Sequence, residues 1–216
     1  MNQEAPTHED DQVPVWLAML VLVLLMAVVG VGGYVVRGML APAKQTTAVE
    51  REIVRFEAAV QSAPDSVEPR LSLGYAYQRA GRLREALEQY DAVLQLQPTD
   101  PAALFNKGRI FIEQGRDREG EEALWSVLER DPTHVLAARE LGEYYASKGE
   151  YRSLVYAVKP VVEAKESSAD LQYLMGLAYE NLGQIEWAEA RYRLALTYYP
   201  DMPEAHEALD RIGVAE

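Results

Sequence analysis

The side chains that could catalyse a reaction or bind a metal are few in this chain and lie far apart. None of the three histidines, His8, His134 and His206, has a partner at metal-ligand spacing. The absence of cysteine excludes a thiolate nucleophile, a disulfide and a cysteine-bound zinc or iron–sulfur site. The adjacent acids Glu121 and Glu122 are typical of a solvated helix surface, and no nucleophile-elbow, zinc-protease or phosphate-binding glycine motif is present. We therefore predict a protein that is not an enzyme and has no cofactor, metal or small-molecule substrate.

Charge divides the chain into three parts. The 216 residues carry 21 basic and 34 acidic side chains, a net charge of −13, which argues against a nucleic-acid partner because phosphate contacts need a basic surface. Residues 1–14 contain four acids and no lysine or arginine, and residues 15–36 contain no charged side chain. Residues 37–216 hold the other 30 acids and all 21 bases, a net charge of −9. The first part is predicted to be an acidic N-terminal tail.

Residues 15–36 are predicted to form a single transmembrane helix. The length fits one crossing, since about 20 apolar residues with a rise of about 1.5 Å span a hydrocarbon core of about 30 Å. Trp16 and Tyr34 stand near the two ends, where amphipathic rings favour the membrane–water interface. A cleaved signal peptide is the alternative, because Ala41-Pro42-Ala43 looks like a cleavage site. The acidic start and the length of the apolar run favour an uncleaved anchor.

The basic residues beside the span favour a cytoplasmic position for the rest of the chain. No lysine or arginine precedes the span, whereas Arg37, Lys44, Arg51 and Arg55 follow it, and positive charge is retained on the cytoplasmic side. This predicts a single-pass protein of a bacterial cytoplasmic membrane with its large domain in the cytoplasm; an extracytoplasmic domain is the alternative. Residues 37–48 form a linker too short to let that domain move far from the bilayer.

Two series of glycines reveal an internal repeat. Members of each series are 34 residues apart, at Gly74, Gly108, Gly142 and Gly176 in the first and at Gly81, Gly115, Gly149 and Gly183 in the second. Prolines recur with the same spacing at Pro64, Pro98, Pro132 and Pro200. The one position of this series without a proline is Glu166. A repeat of this length predicts stacked helical hairpins, because a single hairpin cannot bury its apolar face alone.

These residues resemble the tetratricopeptide repeat, whose pattern is Leu-Gly-x-x-Tyr followed by a small residue, an aromatic residue, an alanine and a closing proline. The fourth repeat matches almost throughout, at Gly176, Tyr179, Ala188, Tyr192, Ala195 and Pro200. The resemblance implies an all-α fold, an α-solenoid of helical hairpins, preceded in this chain by the N-terminal transmembrane helix. The implied units are a capping half repeat at 49–66, repeats at 67–100, 101–134, 135–168 and 169–202, and a C-terminal capping helix at 203–216.

Local physical chemistry explains the glycines and marks the third repeat as irregular. A glycine inside a helix costs about 1 kcal/mol relative to alanine, so Gly74 and its equivalents are expected where a neighbouring helix comes close. Gly81 and its equivalents are expected to end the first helix of each hairpin in a left-handed conformation. In the third repeat Leu154 replaces a small residue and Pro160 falls within the second helix. Two interpretations are open: a degenerate repeat with a shortened helix, or a bend that reshapes the surface for a partner.

The resemblance also implies a binding groove, because the first helices of tetratricopeptide hairpins line a concave face that usually takes the ligand. Positions i, i+4 and i+7 on each first helix form a stripe beside the core. The candidate groove residues are Leu71, Tyr75, Arg79, Phe105, Asn106, Arg109, Ile112, Arg139, Tyr173 and Leu177. Such a surface suits an extended peptide or an amphipathic helix, with arginines available for a carboxylate. The alternative is that these side chains pack between neighbouring repeats.

Two functions of different classes fit these features. The first is a membrane-anchored adaptor or assembly factor that binds a protein or peptide partner, itself membrane-associated, in the groove. The second is a permanent structural subunit of a larger membrane protein complex. Small anchored proteins of this family serve cytochrome c maturation and envelope assembly in bacteria, mostly facing away from the cytoplasm, and protein import in mitochondria. The resemblance therefore implies the orientation opposite to the one that the flanking charge favours.

Overall fold

The computed structural model describes residues 47–213 and, within the predicted span, Met19, Leu20, Leu24 and Met26. These four residues are helical and exposed. The predicted acidic tail, the rest of the predicted transmembrane helix and residues 37–46 of the predicted linker lie outside the described residues, whereas Ala48, the last residue of that linker, begins the first helix of the domain. In the part of the chain that is described, no helix combines the length and the apolar character that a membrane crossing requires. The chain divides into two compact units, Met1–Thr46 and Thr47–Glu216.

The described part of the second unit is helical throughout, with ten helices and no strand between residues 47 and 213. The helices are α1 Ala48–Ser62, α2 Val67–Arg79, α3 Leu83–Leu96, α4 Pro101–Glu113, α5 Asp117–Arg130, α6 Val135–Lys148, α7 Tyr151–Ala164, α8 Ala169–Asn181, α9 Ile185–Tyr198 and α10 Pro203–Arg211. Short turns join α2 to α3, α4 to α5, α6 to α7 and α8 to α9, and the two helices of each pair pack together. The predicted all-α fold of stacked helical hairpins is confirmed.

The first glycine of each repeat lets the two helices of a hairpin approach closely. A Cβ atom at Gly74 would lie 2.6 Å from Cε1 of Tyr90, and one at Gly176 would lie 2.5 Å from Cδ1 of Tyr192. Both tyrosine side chains are completely buried. The ring on the second helix therefore occupies the volume that a side chain on the first helix would need, which confirms the predicted close approach.

The second glycine series ends the first helix of every hairpin. These residues have φ between +71° and +74°, the left-handed conformation that favours glycine, at Gly81, Gly115, Gly149 and Gly183. The prediction of left-handed helix ends is confirmed. At the start of α4, the carboxylate of Asp100 accepts a hydrogen bond of 2.8 Å from the backbone N–H of Ala103. His134 caps α6 in the same way, because its Nδ1 atom accepts a hydrogen bond of 3.1 Å from the backbone N–H of Ala137.

The third repeat keeps a full second helix, so the predicted shortening of this helix is wrong. Helix α7 has 14 residues, as do α3, α5 and α9, and Pro160 lies inside it. Val158, Val161 and Val162 are buried on either side of the proline and hold this turn against the core. Proline cannot bond to the carbonyl four residues earlier, which belongs to Tyr156. That residue is 73% exposed, so water can satisfy its carbonyl.

The apolar core runs along the whole stack rather than forming one central cluster. One buried cluster joins residues of α1 to α4, the largest joins α5 to α8, and two smaller ones join α8 to α10. Gln172 is the one polar side chain buried among the described residues. The amide nitrogen of Gln172 donates a hydrogen bond of 2.8 Å to the carbonyl of Glu166, and its amide oxygen accepts one of 3.0 Å from Arg191. Both ends of the buried amide therefore have a hydrogen-bond partner.

Candidate functional site

The ten predicted groove residues lie on α2, α4, α6 and α8, the first helices of the four hairpins, and are called the first-helix face below. On α2, Tyr75 is 53% exposed, whereas Leu71 is half-buried and packs against the core. Arg79 is exposed and pairs with Glu52 of α1 at 2.6 Å. Tyr75 is thus the large apolar side chain that this helix presents to solvent.

On α4 the predicted residues divide between the core and the surface. Phe105 and Ile112 are half-buried and pack against the core of the following repeats. The Asn106 amide donates a hydrogen bond of 2.8 Å to the carbonyl of Ala102, one turn earlier. The guanidinium of Arg109 lies 5.7 Å from the centroid of the Phe105 ring, which fixes the cation over an aromatic surface.

Ion pairs cross two of the three junctions between successive first helices and also the junction of α8 with the C-terminal helix α10. They join α4 to α6 through Arg109 and Glu140 at 3.2 Å, α6 to α8 through Arg139 and Asp170 at 3.6 Å, and α8 to α10 through Glu180 and Arg211 at 2.7 Å. Among the residues that the structure describes, no ion pair crosses the junction of α2 with α4. The sequence analysis missed these acids because the partners in each pair are about 31 residues apart, beyond any local spacing rule.

The electrostatics of these pairs differ with burial. Burial raises the pKa of the Glu140 carboxyl, and the nearby Arg109 offsets part of that effect. At the other end of the face, hydrogen bonds from Arg211 and then Tyr192 lower the pKa of Glu180, against a smaller opposing effect of burial. Glu180 is therefore a firmly held carboxylate, whereas Arg109 is the group that keeps the Glu140 pKa from rising further.

Tyr75 on α2 and Arg109 on α4 lie on the two helices of the junction that has no ion pair. Both act on the hydroxyl of buried Tyr90, whose pKa is raised mainly by burial, further raised by Tyr75 and lowered by Arg109. The Tyr90 hydroxyl also lies 3.2 Å from the side-chain oxygen of Gln78.

Arg139 is the least satisfied cation of the first-helix face. Its guanidinium lies 3.8 Å from Glu143 and 3.6 Å from Asp170, and its buried Nε has no hydrogen-bond partner. The two arginines nearest the N-terminal end are already paired, at 2.6 Å for Arg79 and 3.2 Å for Arg109. Of the three, Arg139 has the greatest capacity to accept a new carboxylate.

On α8 the predicted residues turn partly inward. Tyr173 is half-buried, with its ring centroid 5.7 Å from that of Tyr192, and it packs against the core. Leu177 is half-buried as well. Packing between repeats, the alternative considered from the sequence, therefore describes four of the ten residues: Leu71, Phe105, Ile112 and Tyr173. Contact of the other six with a partner stays a prediction.

A second surface, on the second helices, was missed by the sequence analysis. A cleft of about 520 Å³ lies between α5 and α7, lined by Trp125, Val155, Tyr156 and Pro160 among others. The signal was present in the 34-residue register, which puts Tyr156 where the earlier repeats have glutamate. Among residues 47–213, no group of three or more histidines and acids is arranged to hold a metal ion.

Family models of the tetratricopeptide repeat match three segments of the chain. Two matches of one model cover residues 55–101 and 71–124, and a second model covers 169–202, which is the fourth predicted repeat. None of these ranges includes the irregular third repeat at 135–168. A search of the curated proteins gave no significant match.

Solved structures with the same fold include two of MamA. A crystal structure of MamA has a TM-score of 0.61 and 21% identity, covering 71% of this chain and 95% of that one. A MamA fragment from Desulfovibrio magneticus RS-1 has a TM-score of 0.61 and 23% identity, covering 68% and 84%. YrrB, a TPR protein with an unusual peptide-binding site, has a TM-score of 0.60 and 16% identity, covering 73% and 90%. At these identities the likeness shows the fold alone.

The segments matched by the family models are helical hairpins in the structure, and the similar solved structures have the same fold. The matched segments coincide with hairpins α2–α3 and α8–α9 and extend into α4–α5. Each hairpin has the buried glycine and the left-handed helix end that the repeat pattern requires. This chain belongs to the tetratricopeptide repeat family.

Proposed function

We propose that this protein is a membrane-anchored adaptor or assembly factor that binds a protein or peptide partner in the groove formed by its first helices, without catalysis. In this proposal residues 15–36 are the single span in a bacterial cytoplasmic membrane, and the partner is itself associated with that membrane. Anchoring raises the effective concentration of the groove toward such a partner. The net charge of −9 beyond the span supports a protein partner rather than a nucleic acid.

The observation that carries the proposal is the exposure of Tyr75 at the junction of α2 with α4. The side chain is 53% exposed. A tyrosine ring can cover a large apolar area on a partner, and ordering it costs little conformational entropy. Tyrosine and arginine dominate the energetics of protein interfaces, and Arg109 lies at the same junction. Arg139, two helices away, offers a cation with spare capacity for a carboxylate. YrrB, with its peptide-binding site on the same fold, supports a peptide ligand by analogy.

Site-specific photo-crosslinking in intact membranes tests this proposal. A photoreactive phenylalanine analogue replaces Tyr75, and in a matched control it replaces Tyr199, which is 50% exposed at the end of α9. We expect one defined adduct from position 75 and none from position 199, and we expect Tyr75→Ala to reduce recovery of the same partner. Equal adducts from both positions, or no adduct from position 75, would remove the groove from the proposal.

A permanent structural subunit is the second candidate function. It is favoured by the ion pairs that join α4 to α6, α6 to α8 and α8 to α10, because they satisfy most charged groups of that face within the protein itself. Purification in a gentle detergent, followed by a wash at high salt, separates the two candidates. Partners retained at fixed stoichiometry support the structural subunit, whereas partners that dissociate support a transient adaptor.

The flanking charge supports a cytoplasmic position for the helical domain within this proposal. Protease treatment of sealed spheroplasts tests it, because only an external domain is digested before lysis. We expect the domain to survive until the membrane is opened. Digestion of intact spheroplasts would reverse the orientation and would favour a role in envelope assembly or cytochrome maturation, as in the anchored family members that face away from the cytoplasm.

A further inference from the structure

The exposed side of the second helices carries a repeated ion pair that the third repeat has lost. In α3, Arg84 pairs with Glu88 at 3.3 Å, and in α5, Arg118 pairs with Glu122 at 3.4 Å. Both pairs join residues four apart on one helix face. The 34-residue register places Arg152 of α7 in the arginine position and Tyr156 in the position of the acid. The third repeat thus keeps the cation and replaces its carboxylate with an aromatic ring.

The replacement leaves both side chains without their usual contact. Arg152 makes no hydrogen bond or ion pair with the rest of the described chain, and Tyr156 is 73% exposed. The Tyr156 ring lies 5.3 Å from that of Trp125 on α5. Exposing the apolar ring of Tyr156 to water is unfavourable. A partner that covers this ring and pairs with Arg152 would gain free energy, since tyrosine, tryptophan and arginine are the residues that anchor interfaces.

These residues belong to a continuous row that we name the aromatic strip, defined as Trp125, Tyr156, Tyr179 and Trp187. Val155 and Arg152 connect its two halves, because they line both the cleft between α5 and α7 and a smaller cleft beside Tyr179. Tyr179 and Trp187 have ring centroids 6.2 Å apart, and Trp187 is 60% exposed. The strip therefore crosses the second, third and fourth repeats, on the second helices α5, α7 and α9 and, at Tyr179, on α8.

The charges around the larger cleft are arranged from one end to the other. Arg152 stands in the first turn of α7, and Glu129, which has no partner within the described residues, stands beside the last turns of the same helix. Lys159 and Glu163 form a neutral pair at 3.7 Å between them. From Arg152 to Glu163 the helix rises about 16 Å. The cleft thus presents a positive end, an aromatic middle and a negative end.

We propose that the cleft between α5 and α7 binds an amphipathic helix of a partner protein, whose apolar face covers Trp125, Tyr156 and Pro160 and whose carboxylate pairs with Arg152. A groove between two parallel helices accepts a third helix through apolar residues at i, i+3, i+4 and i+7. The charge gradient selects a helix with acidic residues at one end and basic residues at the other. An anionic bilayer fits this surface poorly, because the charges lining the cleft nearly balance and the chain beyond the span carries −9.

This interface lies outside the proposed function, since it uses none of the groove residues. Its test uses the full chain in lipid nanodiscs with Trp16→Phe, so that Trp125 and Trp187 are the two remaining tryptophans and both report from the strip. The probe is a displayed library of helical peptides of about 14 residues, with leucine or phenylalanine at i, i+3, i+4 and i+7 and with Glu, Gln or Lys at the other positions. Peptides are selected on the wild-type chain alone, and their binding to the variants is measured afterwards.

Tyr156→Glu is a sharp variant because it restores the ion pair of the earlier repeats and so preserves the helix. We expect selected peptides to carry an acidic end, to change the tryptophan fluorescence, and to bind the Tyr156→Glu protein about tenfold less tightly. Arg152→Gln removes the preference for Glu over Gln in the peptide. Arg118→Gln, the equivalent arginine of the second repeat, leaves binding unchanged.

Four results would overturn the inference. One is a library with no peptide that distinguishes wild type from Tyr156→Glu; another is an equal effect of Arg118→Gln and Arg152→Gln. A fluorescence change on adding vesicles of phosphatidylglycerol would assign the strip to a lipid surface. Loss of peptide binding in Tyr75→Ala but not in Tyr156→Glu would place the peptide on the first-helix face, which contradicts this inference while supporting the proposed function.

Discussion

The hydroxyl of Tyr77 donates a hydrogen bond of 2.6 Å to the carboxylate of Glu57, joining the first helix of the first repeat to the capping helix α1. Tyr145, the equivalent residue of the third repeat, donates to Glu121 and joins α6 to α5. In the first and third repeats, the tyrosine of the Leu-Gly-x-x-Tyr pattern therefore attaches the repeat to the helix before it. Its hydroxyl makes this attachment sensitive to alkaline pH.

Stability should fall between about pH 10 and about pH 12, and Tyr77 should contribute to the fall. Burial, the hydrogen bond to Glu57 and the charge of Glu57 raise the Tyr77 pKa to about 12 from 10.0. The folded state thus holds the phenol proton more tightly than the unfolded state, so this contribution is complete below pH 10.0 and is lost as the pH approaches about 12. Unfolding in urea, followed by circular dichroism across this range, measures the slope.

Tyr77→Phe removes the titrating group and should flatten that alkaline slope. At neutral pH the same variant should lose about 1 kcal/mol, the usual net value of one hydrogen bond. Glu57→Gln keeps the phenol but removes the negative charge, so its slope should fall between those of wild type and Tyr77→Phe. An unchanged slope in Tyr77→Phe would show that this contact does not govern the alkaline stability.

Gly176→Ala should destabilise the fourth repeat by about 1–3 kcal/mol, the range for overpacking a filled core. The added Cβ would lie 2.5 Å from Cδ1 of Tyr192, and this ring is completely buried and cannot move aside. The gain of about 1 kcal/mol in helix propensity offsets only part of the clash. Thermal unfolding measures the loss.

Gly142→Ala is the matched comparison for Gly176→Ala. Its nearest contacts would be 3.0 Å, from the branched side chains of Val158 and Leu174 rather than from a ring. We expect a smaller loss than at Gly176, because a few tenths of an ångström of adjustment relieve this contact. Equal losses at the two positions would mean that backbone effects, and not the tyrosine ring, limit this site.

Gly115→Ala should cost about 1 kcal/mol for a different reason, since alanine is strained in a left-handed conformation. The residue has φ of +71°, and a Cβ there would meet no atom within 4 Å. The loss therefore measures backbone conformation without packing. Gly115→Asn should lose less, because asparagine tolerates this conformation better. An alanine variant as stable as wild type would contradict the assignment of this glycine as a helix terminator.

The repeated architecture could be predicted because its determinants recur at fixed spacing. Gly74 and Gly81 each imply one local geometry, and three further copies of each remove the ambiguity that a single glycine leaves. The continuity of α7 through Pro160 could not be predicted in this way. It depends on the burial of Val158, Val161 and Val162 and on the exposure of Tyr156, which are properties of the packed stack.

The candidate surfaces were harder to predict than the fold. Position on a first helix selected Tyr75, which is exposed, but the same rule selected Tyr173, which packs inward. Arg109 and Glu140 come together only when two repeats stack, so no residue spacing within one helix predicts this ion pair. Tyr156 was detectable in principle, since comparison with Glu122 one repeat earlier shows the replaced acid. That comparison requires attention to the variable positions of a repeat as well as to its constant ones.

A double-mutant cycle on Arg109 and Glu140 should separate stability from binding on the first-helix face. Arg109→Gln leaves the half-buried Glu140 carboxylate without its ion pair, and we expect a loss of about 1–2 kcal/mol at neutral pH, since Arg109 itself is partly exposed to screening solvent. The variant should also gain a pH dependence. Burial already raises the Glu140 pKa and Arg109 lowers it, so the variant's folded pKa rises further, and stability is lost as the pH increases through that value.

Adding Glu140→Gln to Arg109→Gln should recover part of the lost stability and abolish the added pH dependence, because no buried charge remains. The double variant thus keeps the fold but removes the Arg109 cation from the first-helix face, which makes it a clean probe of the groove. If the groove binds a carboxylate-bearing partner through Arg109, recovery of the partner falls in the double variant as it does in Arg109→Gln. If recovery returns together with stability, Arg109 serves the fold, and the recognition of acidic groups passes to Arg139.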